Sequence, residues 1–275
     1  MLAAFIIVFR EAIEAGLIVG IVLAATRGLA RRGRWIAYGV GGGVIGACLV
    51  AAFAGELGNL FEGSGQELFN AAILLFAVGM LTWHNVWMAS HGRDMARQLQ
   101  QVGAAVASGD RSLMALALVV GVAVLREGSE VVLFLYGVLM GGASPMTIGA
   151  GGALGLLGGV ALSVVMYLGL LAVPTKRLFG VTSGLIVLVA AGLASQAVAF
   201  LQQGGFISML MTPLWDTSWL LTDGSVPGRL LKTLIGYTAQ PDGAQLIAYL
   251  ATIALMVGLM SATRPRVRPL PAHAE

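Results

Sequence analysis

Charge is scarce in this chain. Of its 275 residues only 11% are Asp, Glu, Lys or Arg, against about 25% in soluble globular domains. A water-exposed surface of ordinary composition is therefore excluded. There is a single cysteine, Cys48, which rules out an internal disulfide and any site built from several thiolates. The sequence contains no P-loop and no H-E-x-x-H, and it lacks G-x-S-G, because Thr182-Ser183-Gly184 has no glycine at the first position. ATP-driven and proteolytic chemistry are thereby set aside, and no catalytic residue is assigned. The first residues carry no positive n-region and the first apolar run holds three ionisable groups, which argues against a cleaved signal peptide.

With 58% hydrophobic residues, the expected class is an all-α polytopic membrane protein without a separate soluble domain. Its surroundings are membrane lipid, and no nucleic acid is expected as a partner. Hydropathy marks seven spans, at about 2–26, 36–55, 67–90, 112–140, 147–171, 180–203 and 244–262. One set of flanks holds Arg27, Arg31, Arg32, Arg34, Arg93, Arg97, Arg111, Lys176, Arg177, Arg264, Arg266 and Arg268, twelve of the sixteen basic residues. By the positive-inside rule that side is cytoplasmic, with the N-terminus outside and the C-terminus inside. The expected division is one permease domain over 1–263 and a basic cytoplasmic tail over 264–275. Within the domain, a first repeat covers about 1–110, a second about 111–206, an outer loop 207–243 and a seventh helix 244–262. Glu56, Glu62, Glu67, Asp216, Asp223 and Asp242 all fall outside. They are either tolerated surface charges or an electrostatic vestibule for cations.

The charges that matter lie within the apolar runs. Arg10-Glu11-Ala12-Ile13-Glu14 sits between Leu2 and Ala25, and Arg126-Glu127-Gly128-Ser129-Glu130 between Leu113 and Met140. At about 100° per residue, Arg10, Glu11 and Glu14 share one helix face. Each intramembrane charge costs about 2.5–3.5 kcal/mol, so six of them need a compensating purpose. The constant offset of 116 pairs these motifs and also Gly39 with Gly155, Gly42 with Gly158 and Gly43 with Gly159. Three spans per copy make the second copy inverted, with a pseudo-two-fold axis in the membrane plane. The first and fourth spans would then meet near mid-depth. Gly39-xxx-Gly43-xxx-Ala47 and Gly151-xxx-Gly155-xxx-Gly159 read as ridges for close helix packing. The dinucleotide-like spacing Gly41-x-Gly43-x-x-Gly46 has no preceding strand and carries no such function.

Four carboxylates and two guanidiniums in one low-dielectric site allow three readings. They could pin two helices as a static ion-pair cluster, relay protons for another solute, or bind a cation in transit. The spacing suits Arg10–Glu14 and Arg126–Glu130 pairs. Oxygen donors without sulfur favour iron, manganese, calcium or magnesium over copper(I). Met256-xxx-Met260 reads as core. Further pathway candidates are His84 and Asn85, placed near the inner end of the third span, and Gln196, Gln202 and Gln203 near the outer end of the sixth. Asp216, between Trp215 and Trp219, is a candidate at the outer mouth; His91 and His273 have no evident role.

At its doubled motif the chain resembles the high-affinity iron permease family, the oxidase-dependent iron transporters of fungi and the related bacterial permeases. That family carries Arg-Glu-Gly-Leu-Glu in its first and fourth spans. Here the charged positions stand, and of the spacers only Gly128 agrees. The outer segment Pro213-Leu214-Trp215-Asp216-Thr217-Ser218, with Gly236-Tyr237 and Pro241, is also similar to bacterial members. The resemblance implies seven helices with the N-terminus outside, and iron as a transported substrate rather than a cofactor. It implies that Glu11, Glu14, Glu127 and Glu130 coordinate iron, that Arg10 and Arg126 are essential, and that an outer-face protein oxidises or delivers the iron. It places the protein in the plasma membrane, the inner membrane of a Gram-negative bacterium. The alternatives are another divalent cation, such as lead or manganese, and proton-coupled transport. Release to the inside would follow rocking of one three-helix half against the other.

Overall fold

The computed structural model describes residues 1–59, 65–169 and 175–263. Glu62, Arg264, Arg266, Arg268, His273 and the rest of the expected tail lie outside them. The chain forms eight helices among the described residues: α1 (Leu2–Ala25), α2 (Arg32–Asn59), α3 (Gln66–Ala107), α4 (Met114–Met140), α5 (Pro145–Tyr167), α6 (Thr175–Gln203), α7 (Val226–Ile235) and α8 (Gly243–Ala262). No strand occurs among those residues. Five helices, α2, α3, α5, α6 and α8, contain windows long and apolar enough to cross a membrane. Helices α1 and α4 are as long, at 24 and 27 residues, and differ by the three charges each carries. The outward faces are apolar, with Ile45, Leu49, Phe53, Phe76, Val122, Leu157 and Leu250 all exposed. Such a surface suits lipid, and this is a multi-pass membrane protein.

Contacts along the helices fix their directions. His84 of α3 lies beside Glu11 and Glu14 of α1, and Gly103 lies beside Ala25, so α1 and α3 run parallel. Helix α4 runs against α3, because Ala77 meets Gly137 and His84 meets Glu130. Helix α6 also opposes α3, since Glu67 lies beside Gly204 and Asn85 beside Ser183. Helix α5 is parallel to α1 and α2 to α4 through their glycines. Thus α1, α3 and α5 point one way and α2, α4 and α6 the other. Helix α8 joins the first set, with Met260 near Asn85 and Tyr249 near Gly236.

The expected third span, 67–90, is matched by an apolar window over Gln66–Met88, and its helix continues beyond that window to Ala107, 42 residues in all. Hydropathy locates the edge of the lipid, not the end of hydrogen bonding. Arg, Gln, Met and Ala between 93 and 107 are good helix formers, and Leu99 and Val106 pack with Val22 and Leu116. The segment 207–243, expected as an outer loop, is not plain loop. It contains α7, opened by Ser225 accepting from Gly228 N at 3.0 Å and closed by Gly236 at φ +69°. A Cβ on Gly192, mid-way along α6, would come within 2.7 Å of Gly236 Cα. The end of α7 is therefore packed well inside the bundle.

The glycine register departs from the expected offset. A Cβ on Gly43 would meet Gly121 O at 2.8 Å and Leu125 N at 2.9 Å, and one on Gly155 would meet Phe5 O at 2.6 Å and Phe9 N at 2.9 Å. Residues 121 and 125 follow 5 and 9 by 116, but 155 follows 43 by 112. The matching pairs are Gly39 with Gly151, Gly43 with Gly155 and Ala47 with Gly159, one helical turn from the constant offset. Four fewer residues separate Arg126 from Gly151 than separate Arg10 from Gly39. Gly42 meets nothing within 4 Å, and Gly158 faces only the Phe9 ring.

Candidate metal site

Helices α1, α3 and α4 each turn one polar patch inward at the same level. From α1 come Arg10, Glu11 and Glu14, from α4 Glu127 and Glu130, and from α3 His84. All six are buried, with exposures of 5% or less. One donor atom each from Glu11, His84, Glu127 and Glu130 falls within 4.8 Å of the others. Lysine and arginine tips escape to water when they can. Arg10 does not, because Glu14 holds it, Nε lying 2.9 Å from Glu14 Oε1. The contact is an ion pair without aligned hydrogen-bond geometry. On α4 the corresponding Arg126 donates from Nε to Glu130 Oε1 at 3.1 Å. The two halves differ in cover. Arg126 is 30% exposed, and its Cζ lies 4.3 Å over the ring of Trp87.

The structure thus brings together the four glutamates and two arginines singled out by their spacing, and it adds His84. This corrects the placement of His84 at an inner mouth. It sits between the motifs, Nδ1 against Glu130 and Nε2 3.6 Å from both Glu11 Oε2 and Glu14 Oε2. The reason is the length of α3, whose middle passes the crossing of α1 and α4. Trp87, one turn on, went unnoticed. An i, i+3 step from a polar residue in an apolar helix puts both on one face, which is the signal that could have found it. With the glutamates ionised and His84 neutral, the cluster carries a formal charge of −2. Its donors are carboxylate oxygens and imidazole nitrogen, and many have no hydrogen-bond partner, Glu11 Oε1 and Oε2 and Glu127 Oε2 among them. Buried and unsatisfied, they would be stabilised by a divalent or trivalent cation. On the side away from His84, Glu11 and Glu127 border an apolar cavity of about 320 Å³ walled by Ala12, Ala47, Cys48 and Gly128.

The remaining candidates are elsewhere. Asn85 faces Ser183 O at 3.4 Å and Met260 Sδ at 3.6 Å, at the packing of α3 with α6 and α8. Gln196 is half-buried near Gly141, Gln202 is buried, and Gln203 is exposed. Gln196 Oε1 and Gln202 Nε2 have no hydrogen-bond partner. His91 is exposed and stacks on Trp87.

Asp216 is exposed and structural. It accepts from Ser218 Oγ at 2.5 Å, Ser218 N at 2.8 Å and Gln240 Nε2 at 2.8 Å. Asp223 accepts from Ala239 N, and Asp242 caps α8 through Gln245. These three acids, expected outside, hold turns and a cap. The bonds from Ser218 and Gln240 keep the Asp216 carboxyl below its ordinary value of 3.8. As pH falls the unfolded chain takes up this proton first, so the contribution is present at neutral pH and fades below 3.8. Asp216→Asn is expected to leave transport near the wild-type rate. Loss of most transport would return Asp216 to the pathway.

Comparison with known proteins identifies the family. The sequence pattern of the Iron permease FTR1 family matches residues 1–266. The chain is 33% identical over 257 residues to the ferrous iron permease EfeU of Escherichia coli O6:H1, covering 90% of this chain and 91% of that one. It is 32% identical to that of Shigella sonnei, with the same coverage, and 31% identical to that of Yersinia pestis, over 90% of this chain and 89% of the relative. No solved structure matches.

Proposed function

The chain belongs to the iron permease FTR1 family, and on that premise we propose that it carries iron into the cell through the cluster of Glu11, Glu14, Glu127 and Glu130. The observation that carries this reading is the convergence of two R-E-x-x-E motifs, from helices of opposite direction, on one buried point. A static ion-pair cluster would need one carboxylate per arginine, and each motif has two. The names of the relatives favour ferrous iron.

The alternating helix directions support seven crossings, made by α1 to α6 and α8, with α7 as an inserted outer segment. The shared environments of Gly43 and Gly155 support two inverted repeats. Arg27, Arg31, Arg32, Arg34, Arg97, Arg111 and Arg177 all lie at one end of the bundle, which supports an inside C-terminus. Iron would reach the cluster from the opposite face, where a partner protein oxidises or delivers it.

Iron influx in iron-starved cells tests the proposal, with each glutamate changed to glutamine and the membrane-inserted amount measured alongside. Influx is expected to fall about tenfold or more in the Glu11→Gln and Glu127→Gln proteins. Normal influx in both would refute the site. A proton relay for another solute predicts instead a changed pH dependence with metal binding intact.

A further inference from the structure

Four glutamates on two helices account for a cation site, but they do not account for His84. It is fully buried, it comes from a third helix, and neither ring nitrogen has a partner in hydrogen-bond geometry. Its two nitrogens face different things. Nδ1 lies against the Glu130 carboxylate, which is itself held by Arg126. A neutral imidazole in that position places its proton on Nδ1 and leaves a lone pair on Nε2. That lone pair points toward Glu11 Oε2 and Glu14 Oε2, each 3.6 Å away.

A separation of 3.6 Å is too long for a hydrogen bond. It is close to the spacing of two donors that share an ion. For ligand distances of about 2.1–2.2 Å, adjacent donors lie roughly 3.0–3.6 Å apart and opposite ones about 4.2–4.4 Å. The 3.6 Å separations of His84 Nε2 from Glu11 Oε2 and Glu14 Oε2 already lie at the upper end of this spacing. A carboxylate behind one ring nitrogen with the other left open is the arrangement that orients metal-binding histidines.

Resting on the reading of this cluster as the iron site, we infer that His84 is a ligand of the transported ion through Nε2 and that Glu130 acts mainly as the carboxylate positioning it. The four glutamates would then not be equivalent. An imidazole among carboxylates shifts preference from magnesium and calcium, which favour oxygen, toward ferrous iron and manganese. His84 would thus set selectivity, while Glu11 and Glu127, with Glu14, supply the charge.

Manganese(II) bound to the purified full-length protein in detergent is a suitable probe, read by electron spin-echo modulation. Wild-type protein is expected to show nitrogen coupling that shifts when the histidines are labelled with nitrogen-15. In His84→Gln that coupling should vanish, with manganese affinity about tenfold to a hundredfold lower and calcium affinity little changed. Glu130→Gln should still bind manganese but with altered coupling, and unchanged coupling would remove its positioning role. Manganese bound without histidine coupling in the wild type, a measurement needing no variant, would overturn the inference while leaving the carboxylate site standing. No manganese binding at all would overturn both.

Discussion

Replacing Arg10 with glutamine is expected to cost about 3–5 kcal/mol of stability, enough to remove most folded protein from the membrane. The magnitude follows from what is left behind. Arg10 is 2% exposed, and Glu14 at 2.9 Å is buried with it. Removing one partner of a buried pair strands the other charge, which costs about that much in proteins generally. Arg126→Gln is expected to cost only about 1–2 kcal/mol. Its side chain is 30% exposed, where ion pairs contribute about 1 kcal/mol or less, and the contact with Trp87 adds about 0.5–1 kcal/mol. The double change Arg10→Gln with Glu14→Gln should recover much of the loss, because it removes the stranded charge along with its partner. Folded yield after detergent extraction and thermal unfolding of the purified variants would measure all three. Equal effects at Arg10 and Arg126 would show that cover, as described, does not decide the cost.

Much of this site was legible in the residues, for a specific reason. R-E-x-x-E inside an apolar run places an arginine one turn before a glutamate, and helical geometry does the rest. What spacing cannot give is depth and neighbour. His84 was noticed as polar in an apolar span, yet its level depended on where α3 begins and how far it runs. The stretch from Arg93 to Gln101 lies beyond the apolar span, and helix propensity rather than hydropathy accounts for its continuing the helix. Asp216 shows another limit, because turn chemistry, an Asp bonding to the residue two ahead, looks in sequence like a spare carboxylate. In the structure Ser144-Pro145, Ser225 with Pro227, and Asp242 with Gln245 each open a helix as such residues do.

The glycine register bears on how the protein moves. The most extensive interfaces in the bundle are α1 with α5 and α2 with α4. Each joins a helix of one proposed half to a helix of the other. Rocking of residues 1–110 against 111–206 would have to break both. A motion that keeps both interfaces whole would move the α1–α5 pair against the α2–α4 pair, with Glu11 on one and Glu127 on the other. Sliding of one pair against the other would change the separation of those carboxylates directly.

Gly43→Leu and Gly155→Leu are therefore expected to abolish both folding yield and transport. A Cβ alone at Gly43 meets Gly121 O at 2.8 Å, Leu125 N at 2.9 Å and Val124 Cβ at 2.7 Å. At Gly155 it meets Phe5 O at 2.6 Å, Phe9 N at 2.9 Å and Val8 Cβ at 3.1 Å. Several of these atoms are backbone, which cannot rotate away, so each helix pair must separate. Even alanine at either position should cost about 1–3 kcal/mol, as overpacking of a close interface does. Gly41, Gly42 and Gly149 supply the control, since nothing lies within 4 Å of a Cβ there. Alanine at those positions should be neutral, or should stabilise by about 0.5–1 kcal/mol through better helix propensity. Thermal unfolding and iron influx, measured on the five alanine variants together, separate the two classes. Should Gly42→Ala and Gly43→Ala behave alike, the close approach of α2 to α4 would be wrong, and with it the α2–α4 pair as a unit.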